Sequence, residues 1–272
     1  MLIYGKEIRE EIKQRVRTAA STRSMVLSVV SVGEDPASQA YVKGIRRFAE
    51  DTGVQCNLIK LPEHCTEEEL LRMIEALNQD DYVTGIMLQT PLPQHISADR
   101  ITEAIHPGKD VEGIHVQNLG HLVNRTAWIK PSTPKAVVHM LKSNEVELEG
   151  ARVTIIGRSA IVGTPLALML MDEDATVTLC HSRTRDLKKI SLESDILIVA
   201  AGRENLVTDD MVHEDMVVID VGTNYNAQGK MVGDVSQAAK EKARLASAVP
   251  GGVGTITVAE LFDNLCILAE QA

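Results

Sequence analysis

The stretch from Arg152 to Leu170 constrains the fold more than any other part of the chain. Arg152-Val153-Thr154-Ile155-Ile156 reads as a buried strand, Gly157-Arg158-Ser159-Ala160-Ile161-Val162-Gly163 as a glycine-bearing turn, and Thr164-Pro165 as the opening of an apolar helix. A strand that feeds such a turn into a helix N-terminus aims unpaired backbone N–H groups and the positive end of the helix dipole at one point, which is how α/β proteins hold a pyrophosphate. The turn departs from the usual dinucleotide fingerprint. Ser159 stands where a second glycine is usual, and Arg158 sits inside the turn.

The next strand sharpens the reading. Thr176-Val177-Thr178-Leu179-Cys180 runs into His181-Ser182-Arg183-Thr184. An NAD site places Asp or Glu on the ribose hydroxyls, roughly 20 residues past the turn. No acid ends this strand, whereas Arg158, Ser182 and Arg183 offer charge and hydrogen bonds to a phosphate. The expected cofactor is therefore NADP, held by Gly157, Arg158, Ser159, Ile161, Val162, Gly163, Ser182 and Arg183. The competing reading is a strand–turn–helix that binds nothing. A lone glycine turn would not decide between them; the missing acid and the added arginine together favour the cofactor.

Apolar segments alternate along the rest of the chain. Strands are expected at 25–32, 55–61, 83–89, 195–201 and 216–221, and helices at 6–20, 38–52, 66–78 and 135–143, with a last helix from about 257 that carries Val258, Leu261, Phe262, Leu265 and Leu268 on one stripe. This is the spacing of βαβ units. The fold class is α/β with two domains: a parallel α/β substrate domain, 1–134 plus 256–272, and a Rossmann-like NADP domain, 135–255. At 272 residues the chain is long enough for both, and with 44% hydrophobic but only 3% aromatic residues the cores must be aliphatic, as suits parallel sheets covered on both faces. Lys130-Pro131-Ser132-Thr133-Pro134 reads as a crossover, and Pro250-Gly251-Gly252-Val253-Gly254 as a loop permitting close backbone approach to a ligand or another segment.

A formal charge of -10 argues against nucleic-acid and anionic-membrane partners. No apolar run has the length of a membrane span. The four cysteines, Cys56, Cys65, Cys180 and Cys266, lack metal or redox spacing, and the histidines form no ligand cluster, so the expectation is no metal and buried reduced thiols in a cytoplasmic protein. Met1-Leu2-Ile3-Tyr4-Gly5-Lys6-Glu7 turns charged too soon for a signal peptide.

Several segments together carry a resemblance: Val32 to Val42 (VGEDPASQAYV), Gln89-Thr90-Pro91-Leu92-Pro93, Lys109-Asp110-Val111-Glu112-Gly113, the turn from Gly157 to Gly163, and Pro250 to Gly254. In these motifs, in this order, the chain resembles the methylenetetrahydrofolate dehydrogenase/methenyltetrahydrofolate cyclohydrolase family over nearly its whole length. The resemblance implies a homodimer in one-carbon metabolism that oxidises 5,10-methylenetetrahydrofolate with NADP and opens the methenyl product with water to 10-formyltetrahydrofolate. It implies that the last helix returns to the first domain. It also implies catalytic roles for Tyr41, Gln89 and Glu112, folate contacts from Ser38, Tyr41, Gln89, Pro91, Asp110, Glu112, Gly251 and Gly252, and a place for Thr223 beside the nicotinamide, where an isoleucine is usual. Without it, Tyr41 would read as core, Gln89 as a strand-end amide, and Asp110 equally as a turn cap.

Two departures bear on chemistry. The family's proton-handling lysine lies four residues after the tyrosine, and here that position is Ile45. Lys43, Arg46 and Arg47 point off that face and read as solvated charge. General acid–base catalysis is worth 10²–10⁴-fold, so hydrolysis is expected to suffer while hydride transfer survives. Glu112 replaces an aspartate that meets the pterin's aminopyrimidine edge, keeping the charge but adding a methylene. Thr90 and Thr255 are smaller departures. Two alternatives stay open: an NADP-dependent dehydrogenase of another small substrate, and a non-catalytic NADP-binding paralogue.

Overall fold

The computed structural model describes residues 1–271, and the side chains of these except at 36–38. The chain opens with strand β1 (Leu2–Ile3) and helix α1 (Lys6–Thr22). Then β2 (Val26–Val32), α2 (Pro36–Thr52), β3 (Gln55–Leu61), α3 (Glu67–Gln79) and β4 (Gly85–Leu88) alternate, followed by α4 (Ala98–Ala104) and α5 (Val116–Val123). After α6 (Ser132–Ser143) come β5 (Arg152–Ile156), α7 (Gly163–Met171), β6 (Thr176–Cys180), α8 (Leu187–Leu192), β7 (Ile196–Val199) and β8 (Val217–Asp220). The hairpin β9 (Asn224–Tyr225) and β10 (Met231–Val232), α9 (Gln237–Lys242), β11 (Leu245–Ser247) and α10 (Val253–Gln271) follow.

The chain divides into two compact units, Glu11–Ser132 with Val258–Ala272, and Met1–Glu10 with Thr133–Thr257. In the first, β3-β2-β4 form a three-stranded parallel sheet. Its central strand β2 is buried almost throughout, and Val30, Ile86, Leu70, Ile74 and Ile101 fill the core between sheet and helices. The C-terminal part of α10 belongs here, as expected of a returning helix: Phe262 packs on Phe48 with ring centroids 4.8 Å apart, and Asn264 donates to the carbonyls of Val111 at 3.0 Å and Lys130 at 2.9 Å. α10 begins at Val253, earlier than the stripe alone indicates, because the Gly252 carbonyl already accepts from the Thr255 N–H at 3.0 Å.

The second unit holds a six-stranded parallel sheet ordered β1-β11-β8-β7-β5-β6. From β5 the chain goes to β6 on one side and then to β7 on the other, so the order reverses at β5, and ligands of open α/β sheets bind beyond the strand C-termini at such a point. The expected boundary needs correction at the start of the chain. Residues 1–10 belong with this unit, because β1 extends the sheet beside β11 (Leu2 opposite Ala246, Ile3 opposite Ser247) and Gly5 N–H reaches the Gly251 carbonyl at 2.8 Å. A two-residue strand carries no readable periodicity. No disulfide joins the cysteines among the described residues, and Cys56 and Cys266 are only half-buried rather than buried.

Candidate active site

In the first unit the segment Lys109–Gly113 is fixed from several sides. Lys109 Nζ donates to the last carbonyls of α3, Leu77 at 3.1 Å and Asn78 at 2.8 Å, and to Asp80 at 2.7 Å, a favourable place for an ammonium at a helix C-terminus. Asp110 accepts from the N–H groups of Gly113 (3.0 Å) and His115 (2.8 Å) and from Asn118 Nδ2 (2.9 Å), so its carboxylate clamps a turn, one of the two roles weighed for it. Burial pushes the Asp110 carboxyl up, and those three hydrogen bonds oppose the shift. Val111 is buried under Asn264. Gly113 has φ +70°, and a Cβ there would meet the Lys130 backbone, so only glycine fits.

Glu112 is held differently. Its carboxylate accepts from the Leu88 N–H at the end of β4 and faces Tyr41 and Asp110, and it retains partial access to solvent. Burial and the neighbouring Asp110 charge raise its pKa to about 8. The half-buried Tyr41 phenol is pushed well up by burial and by the charge on Glu112. One turn along α2 from Tyr41, Ile45 is fully buried. Lys43, Arg46 and Arg47 are exposed, as expected of solvated charges. Gln89 follows β4, is buried, and donates from Nε2 to the Thr90 carbonyl at 2.6 Å. Gln89 and Pro91 line a cleft of about 810 Å³, with Gly33, Lys43, Arg46 and Lys60 among its other walls. Tyr41, Asp110 and Glu112 are not part of its lining. The side chain of Ser38 lies outside the described residues.

In the second unit the strand–turn–helix appears as read. Gly157 has φ +128°, and a Cβ on it would run into the Ala200 carbonyl, while one on Gly163 would strike the Gly157 carbonyl, so both glycines are required for close packing of turn, strand and helix. Ser159, at the position of the usual second glycine, is exposed, and its Oγ accepts from Val162 N–H at 3.2 Å. No side chain caps α7 at Val162. Arg158 and Ile161 are exposed beside this helix start and Val162 is half-buried.

Ile156 and Cys180 are register partners, so the turns that follow them emerge side by side. The second turn is closed by His181 N–H to Thr184 Oγ1 (2.9 Å) and Arg183 N–H to His181 Nδ1 (3.1 Å), leaving Ser182 and Arg183 exposed at its tip. Thr223, also exposed, follows β8 on the same edge of the sheet. Gly251 and Gly252 belong to this unit and not with the other expected folate contacts; their close approach is to Tyr4 and Gly5.

Two carboxylates not weighed as anchors of this edge stiffen it. Asp234 accepts from three successive N–H groups, Ala201 (2.7 Å), Gly202 (2.9 Å) and Arg203 (2.7 Å), and from Asn224 Nδ2 (2.8 Å). Asp220 is fully buried, pairs with Lys240 Nζ at 2.6 Å, and accepts from the N–H groups of Gly222, Asp234 and Val235. The only sequence signal for Asp234 is an acid after a glycine, too common to single it out.

Residues 3–112 match the family model described as tetrahydrofolate dehydrogenase/cyclohydrolase, catalytic domain, and residues 131–272 match that family's NAD(P)-binding domain. The chain belongs to this family. Among relatives of the tetrahydrofolate dehydrogenase/cyclohydrolase family, it is 57% identical over 272 residues to "Bifunctional protein FolD 2" of Syntrophomonas wolfei, covering 100% of both chains. Its fold superposes with a TM-score of 0.96 and 41% identity on the bifunctional methylenetetrahydrofolate dehydrogenase/cyclohydrolase of Campylobacter jejuni, covering 100% of this chain and 99% of that one. The Trypanosoma brucei member, solved with NADP and an inhibitor, gives a TM-score of 0.94 at 34% identity, with coverage of 100% and 97%. Tyr41, Gln89, Asp110 and Glu112 thus lie in the stretch matching the family's catalytic domain, and Arg158, Ser182 and Thr223 in its NAD(P)-binding domain.

Proposed function

We propose that the chain is an NADP-dependent methylenetetrahydrofolate dehydrogenase with a slower methenyltetrahydrofolate cyclohydrolase activity, working as a cytoplasmic homodimer. The reading rests on family membership and on one local observation: two adjacent turns present Arg158, Ser182 and Arg183 where an NAD site would carry a carboxylate. A trypanosomal relative binds NADP, which supports the same choice. The unit of residues 133–257 with 1–10 takes the cofactor, and the unit of residues 11–132 with 258–272 takes the folate.

The residues fit NADP. The positive end of the α7 dipole, where no side chain caps the helix, faces the pyrophosphate, glycines at 157 and 163 let the backbone approach, and the Arg158 guanidinium and Ser182 hydroxyl meet the 2′-phosphate. When bound, NADP supplies the hydride acceptor. Glu112 meets the aminopyrimidine edge of the pterin, Tyr41 lies against its ring system and Gln89 adds an amide at the end of β4. Hydride transfer needs alignment of two carbons and no proton donor, so it tolerates Ile45. Hydrolysis of the methenyl bridge needs a group that moves a proton, and without the lysine it is slower.

The cofactor assignment is tested by titrating Arg158→Gln with NADP and NAD. A charge-assisted hydrogen bond contributes about 1.5–3 kcal/mol, so Kd for NADP should rise about 10–100-fold and Kd for NAD should change less than about threefold. Equal weakening of both cofactors, or no change in either, contradicts the assignment.

A further inference from the structure

We propose that Asp234 is a positioning residue for the nicotinamide half of the cofactor: it fixes the loops after β7 and β8 as the surface on which that half rests. The proposal deepens the NADP reading above and rests on it.

The sheet order assigns the two halves. The strands lie side by side as β6-β5-β7-β8. The turn after β6 exposes Ser182 and Arg183, and the turn after β5 leads into α7. A dinucleotide with its 2′-phosphate beyond β6 and its pyrophosphate at the start of α7 has its other half on the far side of β5, beyond the ends of β7 and β8. The segments there begin at Ala200 and Val221.

Asp234 is fully buried and bonds to both segments. Its Oδ2 accepts from the N–H groups of Ala201 at 2.7 Å and Gly202 at 2.9 Å, and its Oδ1 from Arg203 N–H at 2.7 Å, all after β7. Oδ1 also accepts from Asn224 Nδ2 at 2.8 Å, after β8. Successive N–H groups that converge in this way form a concavity suited to an anion, and here the chain's own carboxylate fills it. Each oxygen meets only donors, so the site needs acceptors on both. Asparagine has nearly the same size but would turn an NH2 group against N–H donors. Gly222 makes the room, because a Cβ there would collide with the Asp234 carboxylate.

Asp234 is itself held from behind. Asp220 accepts from Asp234 N–H at 2.9 Å, Val235 N–H at 3.2 Å and Gly222 N–H at 3.1 Å, and pairs with Lys240 of α9 at 2.6 Å. The Asp220 N–H donates to Ser247 Oγ of β11 at 2.7 Å. The frame therefore runs from α9 and β11 through Asp220 to Asp234 and out to the loops. Thr223 is exposed between Gly222 and Asn224, each of which the frame holds. Apolar packing of Leu197, Val199, Val207, Val218, Val235 and Ala239 already joins strands and helix beneath. The Asp234 carboxylate acts beyond that core, on loop backbone at the edge where a cofactor binds.

The test measures Kd by equilibrium titration without folate, for NADP and for adenosine 2′,5′-bisphosphate, which carries the 2′-phosphate but no nicotinamide. The parent should bind NADP at least about tenfold more tightly than the bisphosphate. Asp234→Asn should weaken NADP at least about tenfold and the bisphosphate less than about threefold, since it disturbs hydrogen bonds to a charged acceptor on one side of β5 only. Asn224→Ala removes only the Nδ2 donor of a half-buried side chain, so it keeps the test readable whatever Asp234→Asn does to folding. It should weaken NADP about 3–10-fold and spare the bisphosphate. Equal weakening of the two ligands in either variant, NADP affinity unchanged in Asn224→Ala, or a parent that binds both ligands equally would overturn the proposal. Failure of the parent to bind the bisphosphate would instead overturn the NADP reading beneath it.

Discussion

At the scale of single residues, Glu112 shows what burial beside a second carboxylate does to a carboxyl. Glu112 has a folded pKa of about 8 against an ordinary 4.5, because burial and the Asp110 charge disfavour its ionised form. The folded state therefore binds more protons than the unfolded chain between those values. Glu112's contribution to stability is fully present below about 4.5 and is lost as pH rises through about 8. Denaturant unfolding of the parent across pH 5–9 should show stability falling on the order of a few kcal/mol more than in Glu112→Gln, whose profile lacks this group. Parallel profiles for the two proteins would mean that Glu112 is ionised in the folded protein at neutral pH. Ile45 and Glu112 are legible as departures from the family pattern, but their consequence is not. A position in a sequence does not say where Lys43 and Arg46 lie; in the structure both are exposed and stand on the walls of the cleft that Gln89 and Pro91 line.

At the scale of elements, the long alternating segments declare themselves. β2, β4, β5 and β7 are short apolar runs bounded by polar turns, and the glycine turn before α7 gives its geometry away because Gly157 and Gly163 are needed by contacts with Ala200 and Gly157 carbonyls. What stays hidden is the support of one segment by another far along the chain. Asn264 reads as a polar residue on the last helix, yet it is fully buried and bonded to the carbonyls of Val111 and Lys130. Its role comes from tertiary pairing of otherwise orphaned carbonyls, which no local pattern encodes. Asn264→Ala should destabilise the protein by about 2–4 kcal/mol, since a buried carbonyl left unpaired costs about 1–3 kcal/mol each. Because Val111 adjoins Glu112, the variant should also raise KM for folate more than KM for NADP. A loss of less than about 0.5 kcal/mol, or equal effects on both substrates, would show that α10 does not position the Lys109–Gly113 segment.

At the scale of the whole molecule, the chain passes between its two units at residues 10/11, 132/133 and 257/258. The last two crossings have sequence signals, the Pro131–Pro134 segment and the Gly251–Gly254 loop. The first lies inside α1, a continuous amphipathic helix, and nothing in its pattern marks a boundary there. Expected folate and NADP contacts occupy different units, apart from Gly251 and Gly252, so the account stands or falls on both ligands being used in one reaction. The most direct measurement is the initial rate of nicotinamide reduction by the purified protein with 5,10-methylenetetrahydrofolate, taken with NADP and with NAD. The account predicts folate-dependent reduction of NADP with kcat/KM at least about tenfold above that for NAD, the ratio that one charge-assisted contact to the 2′-phosphate supplies. No folate-dependent reduction with either cofactor, or a preference for NAD, would contradict it.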